Sequence, residues 1–453
     1  MNHIKDIQNN PLKSVFLLSI PIIAILFLQT SYSVIDAFWI SGLGQDAIIA
    51  IGYMLNLWYI LQKLGEGIGR SCNVLISTSL GAGDYKNANN IAFHGLIIIL
   101  ILAVLIPIAF LIFIKPICIL GHLEQYSDLI ASYFLIPSVF IVFVLLTNYF
   151  TAVLGSEGDT KRASYIVIIG NMVNIILDPV LIYHFNFGIF GAGMATTIGC
   201  MISFFLFYYL YYVRGDVVVK ADKNHFQWNT EIFKGIIEFA IPLVINGFIV
   251  MILGLLINYS LHLFSNPVIS FGFVVLLRIQ TLLFTPIQGV SQSVCIVTAH
   301  LTGAKRFKTL EDTLKKTIVI IMIFAGAVGL VYLFLYPHII SFFTDNITAR
   351  NAVGSIIVFS IISFFLQPIV RIGTYVFIGL GKSIYSLFCL LLNVSLFVIF
   401  MLMGVLIFKS REFGIFMAVI LADVVQSVIL ILLIRHFLGT YIENDNEGEA
   451  AFS

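Results

Sequence analysis

Charge is what this 453-residue sequence has least of: 10% of its residues are Asp, Glu, Lys or Arg, where a soluble domain carries roughly 25%. That scarcity excludes an ordinary soluble enzyme. Twenty-four Lys plus Arg against 23 Asp plus Glu leave a formal net charge of +1. There is no excess to attract nucleic acid, so no nucleic-acid partner is expected. The five cysteines, Cys72, Cys118, Cys200, Cys295 and Cys389, form no CxxC pair and no Cys/His group, which argues against a disulfide framework or a zinc site. They read as small core residues. His94, His184, His262, His300 and His338 lack ligand spacing, and no Ser/His/Asp arrangement occurs in a soluble context, so no enzyme activity is expected. Gly381-Lys382-Ser383 resembles the tail of a phosphate-binding loop, but the first glycine of that pattern would fall at Val376. ATP is therefore not expected as a partner, nor any cofactor beyond a coupling ion.

What the sequence does have is apolar length: 60% hydrophobic residues, with 41 Phe and 19 Tyr. A bilayer span needs about 20 largely apolar residues. Long runs divided by polar punctuation predict twelve spans, at 14–39, 46–79, 90–114, 127–154, 162–184, 189–213, 232–264, 268–302, 315–340, 348–378, 383–408 and 413–437. The polar stretch Met1 to Lys13 precedes an apolar run with no small-residue cleavage site, which reads as a retained first span and not a signal peptide. Lys and Arg divide sixteen to four between the two sets of loops. The positive-inside rule then places both termini in the cytoplasm of a multi-pass cell-membrane protein in contact with lipid.

The halves repeat. Ser19-Ile20-Pro21-Ile22 matches Ala240-Ile241-Pro242-Leu243, and Leu80 in Ser79-Leu80-Gly81 matches Leu301 in His300-Leu301-Thr302, both at an offset of 221. Phe187-Gly188-Ile189-Phe190 recurs as Phe413-Gly414-Ile415-Phe416 at an offset of 226. These matches predict a duplicated six-span unit: an N-terminal six-helix lobe over 1–213, a flexible cytoplasmic linker over 214–231, a C-terminal six-helix lobe over 232–437 and a cytoplasmic polar tail over 438–453. An even number of spans per lobe keeps both in one orientation, the geometry of alternating access.

Charges within spans are costly, about 2.5 to 3.5 kcal/mol each on insertion scales, so each needs a reason. Asp36 and Asp178 lie on outward-running spans. Asn174 is one turn from Asp178, and Thr196 enters on the next span. Two carboxylates, an amide and a hydroxyl could hold a monovalent cation such as Na+, or exchange a proton. The alternative is that one Asp caps a helix end. Lys63, Glu66 and Arg70, at i, i+3 and i+7, form either a self-neutralising ladder or a charged cavity patch that gates transport. Glu238 stands one turn before Pro242. Arg278 with Gln280, and Arg371 with Gln367, are long polar side chains suited to lining a cavity, and Asp423 with Gln426 is the C-terminal acid candidate. Pro21, Pro179, Pro242, Pro286 and Pro368 permit kinks. Aromatic abundance suits lipid contact or the stacking of flat organic cations.

Leu80-Gly81-Ala82-Gly83-Asp84, Asn171-x-x-Asn174-x-x-x-Asp178-Pro179, Arg278-Ile279-Gln280, the twelve spans and the repeat together make the chain resemble the multidrug and toxic compound extrusion (MATE) family, in its DNA-damage-inducible F-like or prokaryotic branch. The resemblance implies an all-α polytopic membrane protein of two pseudo-symmetric six-helix bundles, V-shaped when open, in the wider architecture shared with lipid-linked oligosaccharide flippases. It implies a monomeric secondary antiporter for multidrug efflux, exporting organic, cationic and amphiphilic xenobiotic compounds in exchange for H+ or Na+. The family's coupling site carries over onto Asp36, Asn174, Asp178 and Thr196, and its bending proline onto Pro21. The C-lobe stretch around Phe400 lacks an acid, leaving Glu238 and Asp423 as the carboxylates there. A flippase of the same superfamily is the alternative, because Arg70, Arg278 and Arg371 would suit a cationic lumen.

Overall fold

The computed structural model describes residues 2–43, 45–120, 130–131, 138–221, 226–264, 276, 279–343, 347–407 and 411–450. Arg278 lies outside them, as do parts of the spans expected at 127–154 and 268–302. Among the described residues the ordered structure is helical throughout, and helix occupies each of the twelve predicted spans.

The helices are α1 (Asn2–Asn9), α2 (Pro11–Ser41), α3 (Gln45–Gly81), α4 (Tyr85–Leu120), α5 (Ile141–Ser156), α6 (Thr160–Pro179), α7 (Gly188–Tyr208), α8 (Thr230–Phe264), α9 (Thr285–Gly303), α10 (Phe307–Phe343), α11 (Ile347–Gly379), α12 (Ser383–Leu402) and α13 (Arg411–Ala450). Nine described helices are long and apolar enough to cross a bilayer. Their backbone groups are satisfied within each segment, as hydrocarbon requires.

Local backbone geometry repeats more regularly than the sequence. Gly158 (φ 81°) and Gly381 (φ 77°) turn the chain into α6 and α12, 223 residues apart. Single π-helical turns follow α6 at Val180–His184 and α12 at Met403–Ile407, again 223 apart. Leu402 stands where the first copy has Pro179, so the proline does not cause this turn. One pair of close backbone approaches also corresponds. A Cβ on Gly191 would lie 2.8 Å from the Leu181 carbonyl, and one on Gly414 would lie 2.9 Å from the Gly404 carbonyl carbon. Gly191 therefore corresponds to Gly414. The offset of 226 expected from the two Phe-Gly-Ile-Phe segments is three residues out of register, because backbone contact selects the pairing and the Phe side chains do not.

The chain divides into two compact units. The first comprises Met1–Lys5 and Ile20–Val244, and the second Asp6–Ser19 and Ile245–Ser453. The lobe boundaries expected at 213 and 232 differ from this division because side chains hold the start of α8 in the first unit. Ser71 donates to the Ile236 carbonyl at 2.8 Å, and Gly67 lies against Val244. Likewise Arg306 donates to the Gln8 carbonyl at 2.6 Å, holding the N-terminal strip in the second unit.

The expected flexible linker is instead docked along the first unit wherever it is described. Glu157 accepts the backbone N–H groups of Val218 and Val219 at 2.9 and 2.8 Å. Asn89 accepts from Lys220 N, Asn90 from Gln227 N, and His94 Nε2 from Asn229 N. Arg162 bridges Asp159 and Asp216, while Phe226 and Trp228 pack on the His94 ring. Val219 is fully buried. The physical reason is that the backbone donors of the connection need partners, and Glu157 after α5 together with the first turns of α4 supply the acceptors.

Candidate functional site

In the first unit, α2, α6 and α7 bring the predicted acids together. Asp36 and Asp178 are 2% and 0% exposed, and Asp178 lies close enough to Asp36 to feel its charge. Helical spacing sets Asn174 one turn below Asp178; its amide donates to Asp178 Oδ1 at 3.5 Å and to Thr196 Oγ1 at 3.4 Å. The Tyr32 hydroxyl, one turn before Asp36, hydrogen-bonds Thr196. The Tyr183 hydroxyl donates to the Trp39 carbonyl and the two rings meet edge to face, pinning the π-turn after α6 to the end of α2. Neither acid caps a helix, since helical structure continues past both.

Three oxygens of this cluster, Asp36 Oδ1, Asp178 Oδ2 and Asn174 Oδ1, are buried without any hydrogen-bond partner. Orphaned buried acceptors cost on the order of 1–3 kcal/mol each, more when charged, and native proteins leave few. Among the described residues neither carboxylate forms an ion pair. The donor set is all oxygen, the chemistry of hard cations, and it equally suits a proton. No described group of three or more His, Cys, Asp or Glu residues forms a metal site.

The charged ladder on α3 is closed. Lys63 Nζ donates to Glu66 Oε2 at 2.5 Å, and Arg70 donates twice to Oε1, from Nε at 2.8 Å and Nη2 at 2.6 Å. Lys63 Nζ also lies 4.9 Å from the centroid of the Tyr59 ring.

The second unit builds a different polar network. Asp423 accepts from Gln367 at 3.0 Å and from Asn393 at 3.1 Å. Asn393 also reaches Gln426 at 2.8 Å, and Gln426 donates to the Cys389 carbonyl. Arg371 donates to Gln367 at 3.2 Å and to Gln288 at 2.5 Å, with its guanidinium over the Phe284 ring; Gln288 in turn donates to the Tyr375 hydroxyl at 2.8 Å. At the offset of 223, Met401 stands where Asp178 stands, and the Asn393–Gln426 pair replaces Gly170 and Ser203, which touch in the first unit. The duplicated helix pairs thus carry polarity at different depths. Gln280 is buried. Glu238 is exposed and joins neither cluster, and Pro21 lies within an unbroken α2.

Sequence reasoning missed Tyr32, Gln288, Tyr375 and Asn393. Tyr32 could have been found as the residue one turn before Asp36.

A family model described as MatE matches residues 21–180 and 242–404. A protein of Bacillus subtilis (strain 168) named "Probable multidrug resistance protein YoeA" is 26% identical over 316 residues, 68% of each chain. "Multidrug export protein MepA" of Staphylococcus haemolyticus is 25% identical over 346 residues, 75% of each chain. Among solved structures, "Crystal structure of MATE in complex with MaD3S" superposes with a TM-score of 0.92 at 24% identity, covering 98% of this chain and 99% of that one.

Proposed function

Because the chain belongs to the MatE family of multidrug efflux transporters, we propose that it works as a secondary antiporter in the cell membrane, with both termini cytoplasmic. It exports amphiphilic organic compounds, cationic ones among them, in exchange for H+ or Na+. The observation that carries this reading is the Asp36–Asp178 pair with Asn174 beside it, three of whose oxygens are buried without a partner. Two bare carboxylates in one dry site repel each other, and an entering cation relieves both the repulsion and the unmade bonds. Asn174 and Thr196 orient the pair, and Tyr32 links α2 to α7 through Thr196. Loading the site alters the hold of α2 on α6 and α7, which couples ion binding to α2 and to Pro21. A protonated carboxyl satisfies its neighbours by donating one hydrogen bond, and Na+ satisfies them by collecting oxygens.

Efflux of ethidium from proteoliposomes under an imposed H+ or Na+ gradient tests this. The wild-type protein is expected to concentrate the dye under at least one gradient, and Asp36→Asn and Asp178→Asn to lose that uphill movement. Wild-type rates in both variants under both gradients would refute the assignment.

A further inference from the structure

One charged stripe in the first unit lies apart from the coupling site. Tyr59, Lys63, Glu66 and Arg70 advance by four, three and four residues along α3 and so share a face. Glu66 lies near the middle of this helix, about 22 Å from its Gly81 end at roughly 1.5 Å per residue. Charges at such depth face the protein interior or a water path, not lipid. The flanks of α3 are already occupied, with Gly65 and Gly69 against Leu145, Asn148 and Ala152 of α5, and Gly67 against Val244 of α8. On the stripe, the Lys63 and Glu66 side chains keep 25% and 34% of their surface accessible.

We propose that Tyr59 and Lys63 form a subsite for the anionic group of a flat aromatic substrate, the ring lying on Tyr59 and a carboxylate or phosphate pairing with the Lys63 ammonium. This rests on the transport function proposed above and names a class of substrate for it. Lys63 gives one N–H to Glu66 and stands over the Tyr59 ring, so an aromatic group and a cation are already presented side by side. Glu66 occupies the ammonium when substrate is absent. When a substrate anion replaces it, Glu66 is not stranded, because Arg70 holds its other oxygen through two N–H groups. The exchange keeps every charge paired, which is what a mid-membrane binding site requires.

The test uses the full-length protein in proteoliposomes with two probes, riboflavin 5′-phosphate and ethidium. The wild type is expected to transport both. Lys63→Gln should lower the ratio of flavin phosphate to ethidium transport by roughly ten- to a hundredfold, the value of a charge-assisted hydrogen bond, and Lys63→Arg should largely preserve it. Glu66→Gln, which removes the competing anion, should tighten flavin phosphate binding measured by flavin fluorescence. An unchanged ratio in Lys63→Gln, weaker or equal binding in Glu66→Gln, or a wild type that moves ethidium but not the flavin phosphate would each overturn the subsite alone. A wild type that moves neither probe would overturn the proposed function with it.

Discussion

The docking of the connection on Glu157 makes a pH prediction whose sign follows from burial. Desolvation pushes the Glu157 carboxyl up to about 7 from its ordinary 4.5; Asp159 adds to the rise, while the N–H groups of Val218 and Val219 and the Arg162 guanidinium oppose it. When the connection lifts, the carboxyl meets water and returns toward the ordinary value. The docked form therefore binds the proton more tightly. Docking strengthens as pH falls from about 7 toward 4.5, and it weakens as pH rises through 7 and then levels off. The shift corresponds to about 3 kcal/mol at most, or on the order of 10² in the opening equilibrium. The assay is hydrogen exchange over residues 216–221, corrected for intrinsic rates, with Glu157→Gln as reference. Between pH 7.5 and 5 the wild-type opening should become rarer than that of the variant by up to that factor. A difference that is flat, or that reverses because the two N–H bonds outweigh desolvation, would refute the reasoning.

Other expectations concern packing. Gly191→Ala places a Cβ 2.8 Å from the Leu181 backbone, which cannot rotate away, so a loss of about 1–3 kcal/mol and a lower Tm are expected. Gly414→Ala should behave alike, while Gly235→Ala, with nothing within 4 Å, should leave Tm unchanged or raise it slightly. In the second unit, Asn393→Leu deprives Asp423 Oδ1 of its donor and should cost about 1–3 kcal/mol, read as a fall in Tm. That fall should be much smaller when Asp423→Leu is already present, since the orphaned group is then gone. A full additive loss would mean that the bond contributes nothing.

The sequence makes legible whatever depends on local spacing. Apolar run length marks the spans, the interval of four joins Asn174 to Asp178, and intervals of three and four close Lys63, Glu66 and Arg70 into a ladder. It conceals what depends on which helices meet. Gln288, Gln367, Asn393 and Asp423 sit on four different helices, and the bonds that join them run between residues 30 to 83 positions apart. Asn393 thus looks like an isolated polar residue in an apolar run until α13 is laid beside it. The register of the repeat was hidden for a similar reason: the two Phe-Gly-Ile-Phe segments match in letters, whereas the glycines that matter are those where backbones touch. The linker looked free because its polar composition resembles a tether, yet the acceptors that hold it, Glu157 and Asn89, are far away in sequence.

The exchange of segments between the two units bears on how the protein is made. The strip Asp6–Ser19 is made well before its partner, since Arg306, which holds the Gln8 carbonyl, follows 298 residues later. At about 5–20 residues per second the strip waits roughly 15 to 60 s for its partner. The first unit, by contrast, has all its pieces, docked connection included, once Val244 has been made. A segment made ahead of the bulk of the first unit is therefore secured only after that unit is complete. A chain divided at the connection would leave each product holding a piece that belongs to the other.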